Sequence, residues 1–533
     1  MRVYVIIMAL VAIFFVSKGS NNPTGYDFGK EISSQELNNH LKVIASDELK
    51  GRNTGSRGQQ LAAEYITNHF SDLGLSKIVE SPIGKSYYQN IDLQKARLND
   101  VQISFDGFKC NFMKDFYCYS IYRDSTINLE TEFIGYGIES EKINEQSNKN
   151  LEGKVAIALW GEPQINDSTY FLSGNETSSI WSGRYGWLKK ARLAKKMGAF
   201  EIIFLLPDSL FADYLVEKRN YIFSEKLLLP ENRDLNMSSR YGGIFMPESL
   251  FEKISTSKNK DLNNYKNKIL SNEILTIETA KHVKIKTQYE LEDVIASNVL
   301  GFLKGSDSAS GTVVLTAHYD HIGYDEEGIF NGADDDGSGT VTLMEIAESF
   351  AIARDNGIVP KKNVLFMAVT GEEKGLLGSK YFTDYDPVIP LKDIVCNVNI
   401  DMVGRIDDDH KNNENYIYTI GSGRLSSQLK KLHERVNKKT EKLDLDFEYD
   451  RLDDPNNFYK RSDHYNFAKN DIPVIFYFNG SHDDYHQRSD TVEKIRFDVM
   501  EKRARLIYYT SWEIANIDGR FELDQKQLEE ETE

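Results

Sequence analysis

Hydrophobic positions recur with two different periods along the chain. Near the start they recur every three to four residues over 34–48 and 57–73, which predicts two amphipathic helices. From Asn298 onward, short apolar runs predict strands at 312–317, 362–369, 394–400, 416–420 and 472–478. The stretches between them predict helices at 338–353, 374–383, 424–438 and 493–515. Alternation of this kind is typical of an α/β fold with helices on both faces of a sheet.

The middle of the chain has a pattern of its own. Apolar runs at 155–160 and 202–206 predict buried strands, and residues 187–197 predict a helix with a basic face. Stretches rich in Asn and Lys flank this block. We interpret it as an inserted domain with its own small core. The predicted organisation is an N-terminal part of the main domain at 26–117, the insertion at 118–275, the rest of the main domain at 276–520 and an acidic tail at 521–533.

The first 19 residues have the pattern of a secretory signal peptide. Met1 and Arg2 precede an apolar run from Val3 to Val16, and small residues follow at Ser17 and Gly19. The run is shorter than the roughly 20 residues of a membrane-spanning helix. We therefore expect export to the periplasm or the extracellular space, with no stable membrane insertion after cleavage. The alternative is an uncleaved anchor that tethers the protein to a membrane.

Composition narrows the possible partners. The 533 residues carry a net charge of −18 and are 40% hydrophobic, which is typical of a globular protein. The acidic balance argues against nucleic-acid binding, which uses clustered Lys and Arg. There are three Cys, too few for a disulfide framework. Cys110 and Cys118 are close enough in sequence to bridge, and the sequence leaves that question open.

Acidic residues and histidines follow several of the predicted strands. They are His318, Asp320 and His321 after the first, Glu372 and Glu373 after the second, Asp401 after the third, His482 and His486 after the last, and Asp334–Asp336 ahead of a helix. In open α/β sheets the site lies at the carboxyl ends of the strands, so we expect these side chains to gather at one edge. Burying so many carboxylates together is costly unless cations are present, which indicates metal ions.

These motifs resemble those of the co-catalytic di-zinc aminopeptidases, in the superfamily of bacterial leucyl aminopeptidase, glutamate carboxypeptidase, transferrin receptor and glutaminyl cyclase. The matching segments are Ala317–Asp320, Gly332–Gly339, Gly371–Glu373, Asn399–Met402 and Tyr485–His486. The resemblance implies a three-layer α/β/α zinc-exopeptidase fold with a mixed central sheet. The middle block resembles, more loosely, a β-rich protease-associated domain.

The resemblance also implies a role for each site residue. Two Zn²⁺ would be bridged by Asp335, with His318 and Asp401 completing one site and Glu373 and His486 the other. Asp320 would orient His318 from behind, and the peptide between Asp335 and Asp336 would be cis. Glu372 would be the general base that serves a metal-bound hydroxide. Tyr485 would donate a hydrogen bond to the oxyanion.

Other histidines and polar residues fit supporting roles. We expect His321 to be a bystander at the rim of the site, and Ser462-Asp463-His464 to line the pocket or support the last ligand loop. His482 is close to His486 in sequence, but the turn at Ser489–Thr491 favours His486 as the ligand. The remaining candidates lie on predicted helices away from the edge and are interpreted as structural: His40, His69 and His433.

The sequence thus predicts an exported zinc-dependent exopeptidase, most simply an aminopeptidase that removes N-terminal residues from peptides. A carboxypeptidase or dipeptidase on the same fold remains an alternative. Glutaminyl cyclase and a non-enzymatic, receptor-like protein are more distant ones. The sequence leaves open the preferred side chain, the native metal, the role of the insertion and the oligomeric state.

Overall fold

The computed structural model describes residues 23–525 apart from 119–125, 146–148, 183–185, 224, 230–242, 257–260 and 272. The predicted signal peptide and the last eight residues of the acidic tail lie outside these ranges. The chain divides into two compact units, one of residues 1–91 and 296–533 and the other of residues 92–295. Among the described residues, no helix has both the length and the apolar character needed to cross a membrane.

The first unit contains a mixed sheet between two layers of helices. Its α-helices are Ser34–Ile44, Arg57–Asp72, Gly339–Asp355, Leu377–Asp384, Ser427–Lys439, His464–Ala468 and Phe497–Asn516. Its main strands are Thr312–His318, Asn363–Val369, Ile394–Ile400, Tyr416–Ile420, Asp444–Asp446 and Val474–Phe478, together with the end of His282–Leu303. Short strand pairs are Val79–Ser81 with Gly84–Ser86, and Tyr324–Asp325 with Gly328–Ile329.

The order of the strands places the parallel ones at the centre of this sheet. Thr312–His318 lies between Asn363–Val369 and Ile394–Ile400 and is parallel to both. Val474–Phe478 adds to Ile394–Ile400 in parallel, and Tyr416–Ile420 follows in the antiparallel sense. On the other side, residues 299–303 pair antiparallel with Asn363–Val369. The predicted α/β fold with a mixed central sheet is confirmed.

Alternate residues of the central strand pack into two different cores. Val313 and Leu315 belong to a cluster with Leu37 and Leu41 of the first helix, whereas Val314 belongs to a cluster that includes Phe382. Both faces of the sheet are therefore covered, which explains why the central strands are continuous apolar runs rather than alternating ones. The three layers hold the strand ends firmly in register, and the site is built on those ends.

The second unit has a sheet and a core of its own. Its central strands are parallel: Thr126–Phe133, Val155–Leu159, Glu201–Leu206 and Ile244–Pro247. Further strands are Phe108–Cys110, Tyr117–Cys118, Gln164–Asn166, Thr169–Tyr170, Lys226–Leu228 and most of Tyr88–Phe105 and His282–Leu303. Its helices are Gly186–Lys196, Asp208–Glu217, Arg219–Phe223, Phe251–Ile254 and Leu262–Ile269. Cys110 and Cys118 are buried thiols, and no disulfide joins these two described residues.

The insertion predicted at 118–275 lies within this second unit, which extends from 92 to 295. Both ends of the unit fall inside long strands, Tyr88–Phe105 and His282–Leu303. Along Tyr88–Phe105, buried and exposed residues largely alternate. The residue types alternate as well, for example at Val101, Ile103 and Phe105, although no strand was predicted there from the sequence. That the unit is a protease-associated domain stays a prediction.

Candidate metal centre

Three parallel strands bring the predicted site residues to one edge of the sheet. His318 is the last residue of its strand and pairs in register with Val369 of the neighbouring one. Glu372 and Glu373 follow that neighbour, and Asp401 follows Ile394–Ile400 on the other side. Parallel strands end at the same edge, so motifs far apart in sequence become neighbours. The gathering expected from the sequence is therefore present.

The loop from Ala333 to Ser338 supplies two further carboxylates. The peptide between Asp335 and Asp336 is cis, as expected. The Asp336 carboxylate accepts hydrogen bonds from the backbone N–H groups of His318 (3.1 Å), Gly339 (2.8 Å) and Met402 (3.0 Å). Asp336 thus ties three loops of the site together. A Cβ at Gly339 would lie 2.2 Å from Asp336 Oδ1, so only glycine fits there.

The first group of possible ligands consists of His318, Asp335 and Asp401. His318 Nε2 lies 3.3 Å from Asp335 Oδ1 and 3.6 Å from Asp401 Oδ1. One ligand atom from each residue lies within 4.8 Å of the others. His318 is 1% exposed, so its imidazole is held in place by packing as well as by hydrogen bonds.

The backbone carbonyl of Asp320 lies closer to the His318 imidazole than the Asp320 carboxylate does, so the carbonyl orients the ring. His318 Nδ1 lies 3.1 Å from the Asp320 carbonyl oxygen and 3.8 Å from its carboxylate. A carbonyl can only accept, so this contact places the proton on Nδ1 and leaves the Nε2 lone pair for a metal. The Asp320 carboxylate accepts instead from the Thr54 hydroxyl (2.8 Å) and the Glu372 N–H (3.2 Å).

The second group lies on the other side of Asp335. His486 Nε2 is 2.9 Å from Asp335 Oδ2 and 3.2 Å from Glu373 Oε2. The two oxygens of Asp335 therefore face different histidines, His318 with Oδ1 and His486 with Oδ2. This is the arrangement that a carboxylate bridging two cations requires.

His321 belongs to this second group and does not lie at the rim. It is fully buried, and its Nδ1 is 2.8 Å from Glu373 Oε1 and 3.8 Å from Asp335 Oδ2. One ligand atom each of His321, Asp335 and Glu373 lies within 4.8 Å of the others. The sequence signal was its position in the same strand-end motif as His318, which by itself could not show the direction of the side chain.

Burial and charge set the protonation of the carboxyl groups. Burial raises the pKa of Glu372 well above its usual range, and the charges of Asp401 and Glu373 add to this against the opposing effect of His318. Burial acts in the same direction on Asp335, but contacts from His318 and His486 hold its pKa well below the usual range. Neighbouring carboxyl groups are thus driven toward different states, which is typical of catalytic sites.

The residues present fit zinc ions. Three buried polar atoms of the cluster have no partner in hydrogen-bonding geometry, although two of them, His486 Nε2 and Asp335 Oδ2, lie 2.9 Å apart: Asp335 Oδ2, His321 Nε2 and His486 Nε2. Such atoms are rare in folded proteins unless a ligand or an ion satisfies them. Imidazole nitrogens and carboxylate oxygens are ligands that zinc accepts. His318, Asp335 and Asp401 would hold one ion, and Asp335, Glu373 and His486 the other.

Comparison with known proteins agrees with this geometry. The model of "Peptidase family M28" matches residues 298–511. Residues 298–511 are therefore similar to this peptidase family. The M28 segment contains both groups of possible ligands, Glu372 and Tyr485.

Several relatives are similar to this protein over parts of the chain. "Leucine aminopeptidase 1" of Sclerotinia sclerotiorum is 31% identical over 220 residues, which are 39% of this chain and 53% of that protein. "Aminopeptidase YwaD" of Bacillus subtilis is 32% identical over 133 residues, 25% of this chain and 26% of that protein. A "Probable zinc metalloprotease" of Pyrenophora tritici-repentis is 35% identical over 143 residues, 25% and 27% of the two chains. The chain thus spans about half or less of the length of these relatives.

One solved structure supports the fold. The "Aminopeptidase from Aneurinibacillus sp. strain AM-1" superposes with a TM-score of 0.52 and 16% identity, over 95% of this chain and 98% of the other. At this identity the likeness shows the fold alone.

The remaining predicted residues of the M28 segment support or line the site. Tyr485 stacks on His486, with ring centroids 4.0 Å apart, and burial raises the pKa of its hydroxyl, which therefore stays protonated. The Ser462 hydroxyl donates to Asp401 Oδ2 (2.7 Å) and accepts from the Asn399 amide (2.8 Å). His482 Nε2 lies 3.0 Å from Asp334 Oδ2 rather than in the centre.

Arg52 is a positioning residue that the sequence did not reveal. It is fully buried, and its guanidinium donates to the backbone carbonyls of Tyr319 (2.8 Å), Asn331 (2.7 Å) and Gly332 (3.0 Å). These contacts fix the loop after His318 against the loop before Asp335. The only sequence signal was a basic residue in a glycine-containing loop between two helices, which is common on surfaces.

A pocket opens beside the centre. Its polar wall includes Asp335, Glu372, Asp401 and Tyr485. Its other wall is largely apolar and aromatic and consists of Met402, Phe458, Phe476 and Phe478. Arg461 also lines this wall. Phe476 and Phe478 are two positions apart on one strand, so they face the same side. The pocket gives a substrate side chain an apolar place next to the metal ligands.

Proposed function

We propose that the protein is a zinc-dependent aminopeptidase with two Zn²⁺ per chain. The observation that carries this is the Asp335 carboxylate, whose two oxygens face His318 and His486 while the buried Glu372 stands beside Asp401. The names of the relatives, leucine aminopeptidase and aminopeptidase YwaD, point in the same direction. The apolar pocket supports a preference for an apolar side chain at the substrate's N-terminus.

The protein's own residues account for the proton transfers of peptide hydrolysis. Zinc ions held here would supply Lewis acidity, which polarises the substrate carbonyl and lowers the pKa of a water. Glu372 accepts a proton as the water oxygen bonds to the carbonyl carbon. It then passes that proton to the amide nitrogen as the C–N bond breaks. Tyr485 donates a hydrogen bond to the oxygen that becomes negative in the transition state.

The free α-amine of the substrate suits the charge of the site. Glu372 lines the pocket without being one of the proposed metal ligands, so its carboxylate remains to attract an ammonium group. Arg461 favours a second candidate, a carboxypeptidase, because its guanidinium lines the pocket and would pair with a C-terminal carboxylate. The two candidates differ in which end of the peptide must be free.

Hydrolysis of a panel of aminoacyl nitroanilides tests the proposal. Each compound is compared with its N-acetylated form, with and without a chelator, and with zinc added back. Cleavage of the free-amine set alone, lost with chelator and restored by zinc, is the expected result. Cleavage of N-blocked dipeptides with a free C-terminus, and of no free-amine nitroanilide, would overturn it in favour of the carboxypeptidase.

Export is part of the same proposal. The apolar run from Val3 to Val16 and the small residues after it support cleavage after residue 19. N-terminal sequencing of the mature protein from the periplasm or the medium should begin at Ser20. An intact Met1 in a membrane fraction would favour the tethered alternative.

A further inference from the structure

A second cluster of histidines and carboxylates lies on the helices of the first unit, outside the M28 centre. His40 is on Ser34–Ile44, His69 on Arg57–Asp72 and Glu348 on Gly339–Asp355. One ligand atom from each lies within 4.8 Å of the others. All three side chains are half-buried, so an ion could reach them from solvent.

A fourth side chain, Glu345, contacts the cluster at His40. Glu345 lies three residues before Glu348 on the same helix, so the two face the same side. Glu345 is only 3% exposed, and its Oε1 has no hydrogen-bond partner. That oxygen is 3.4 Å from His40 Nε2. Two ligands of a tetrahedral zinc, each about 2.0–2.1 Å from the ion, lie roughly 3.3 Å apart.

The outer nitrogens of both imidazoles are held in the way that metal-ligating histidines usually are. His69 Nε2 is 3.2 Å from the Met344 carbonyl oxygen, and His40 Nδ1 is 2.8 Å from the Tyr65 hydroxyl. The carbonyl can only accept, so the His69 proton is on Nε2 and its Nδ1 carries the lone pair. Backbone carbonyls and hydroxyls in this position orient the ring toward a metal. The two rings meet edge to face, with centroids 4.8 Å apart.

The charges of the cluster also favour a cation. Within the described ranges, neither Glu345 nor Glu348 forms a salt bridge with a Lys or Arg. A divalent ion would supply the missing positive charge.

We propose that His40, His69, Glu345 and Glu348 form a further metal site, for a divalent ion of the zinc class. Two imidazoles and two carboxylates are a donor set that zinc accepts in four-coordinate sites. The proposed role of this ion is structural. The ion would join three helices, one of which, Gly339–Asp355, begins three residues after Asp336.

Zinc counting on the full chain tests this proposal. The wild-type protein and its variants are dialysed against a series of free Zn²⁺ concentrations, and bound zinc per chain is measured by mass spectrometry of the metal. The variants are His69→Gln, whose amide can still donate to the Met344 carbonyl, and Glu348→Gln, which changes a half-buried group. The matched control is His282→Gln, which removes a side chain that is 43% exposed in the other unit.

The wild type and His282→Gln should bind one more zinc per chain than His69→Gln. The affinity of Glu348→Gln for that ion should fall by at least about tenfold. The melting temperature of the wild type should rise with zinc over the same concentrations, and that rise should be lost in both cluster variants. Equal zinc content and equal melting shifts in the wild type and Glu348→Gln would overturn the proposal, even if His69→Gln failed to fold.

Discussion

The first unit holds two clusters of histidines and carboxylates that are built in different ways. At the sheet edge, the ligands end or follow strands, apart from Asp335, which precedes a helix, and His318, Asp335 and Glu373 stand in short motifs with neighbouring functional residues. In the helix cluster, His40, His69 and Glu348 come from three helices and have no motif around them. The edge cluster is largely buried except for His486, whose side chain is 36% exposed, whereas the three residues of the helix cluster are half-buried.

This difference shows what makes a metal site visible in a sequence. Parallel strands deliver their carboxyl ends to one place, so a polar residue after each strand is enough to predict convergence. Helices meet through packing, and the angle and register of each pair decide which side chains converge. His40 and His69 therefore looked like ordinary helical residues, and the structure was needed to bring them together.

The largest expected effect separates two adjacent residues of the edge cluster. Glu372→Gln should lower turnover by about two to four orders of magnitude and leave zinc bound, because it removes the proton acceptor only. Glu373→Gln should lower both turnover and zinc content, because it removes a ligand. Kinetics and zinc analysis of both variants provide the check, and a Glu372→Gln enzyme with full activity would contradict the mechanism.

The next effect concerns His321, which contacts only one of the two groups of ligands at the sheet edge, the group that contains Glu373. His321→Leu removes the Nδ1 contact with Glu373, so the ion beside Glu373 should bind about ten times more weakly. The ion beside His318 and Asp401 should be unaffected. A zinc titration should then show one tight and one weakened site. With His282→Gln as the control, equal weakening of both sites would show that His321 acts through the general stability of the fold.

Ser462→Ala should have a smaller effect on the same centre. The variant removes the hydroxyl that donates to Asp401 Oδ2, so Asp401 is less well oriented but remains a ligand. We expect kcat to fall several-fold, with the zinc stoichiometry unchanged. A measured loss of a whole ion would mean that Ser462 holds the first group together more strongly than a single hydrogen bond does.

The smallest effect tests a histidine that belongs to neither cluster. Both ring nitrogens of His433 lack hydrogen-bond partners, and burial lowers its pKa to about 3. This pKa is below that of the unfolded chain, so the imidazole is neutral in the folded protein and costs stability as the pH falls from about 6.5 toward 3. His433→Phe should reduce this loss of stability at low pH. Part of the loss should remain, because burial lowers the pKa of His464 to about 3 as well. Melting temperatures of the wild type and His433→Phe, measured at several pH values, provide the check.

A comparison of His433 with His321 shows that a histidine nitrogen without a hydrogen-bond partner does not by itself indicate a metal site. His433 packs edge to face against Tyr477, with centroids 5.4 Å apart, and is a core residue despite its free nitrogens. His321 has one such nitrogen too, but carboxylates of Glu373 and Asp335 face its other side. A metal site therefore needs several donors around one point, and an orphaned nitrogen alone is not a sign of one.

Sequence patterns located most of the first unit's fold. The five strands predicted after Asn298 all form, with ends that differ by at most two residues, because both their faces are buried and their composition is uniformly apolar. The long strands Tyr88–Phe105 and His282–Leu303 were not predicted, although apolar and polar residues alternate over 101–105 and 283–287. The helix at His464–Ala468 is too short to show a period.

The site residues divide in a similar way. Those at strand ends were predictable because the chain's topology fixes where they lie. Arg52 and the pocket residue Phe458 were not, because their role depends on segments that lie outside the strands of the sheet. His321 was visible in its motif, but the direction of its side chain depends on the Arg52 loop, to whose backbone its own N–H is bonded.

A crystal structure of the zinc-loaded protein, with anomalous diffraction measured at the zinc edge, tests the central claim most directly. We expect two anomalous peaks at the sheet edge, one on each side of the Asp335 carboxylate, beside His318 and His486. We expect a third peak among His40, His69, Glu345 and Glu348. An active, zinc-loaded protein with no peak next to Asp335 would contradict the proposed two-zinc centre.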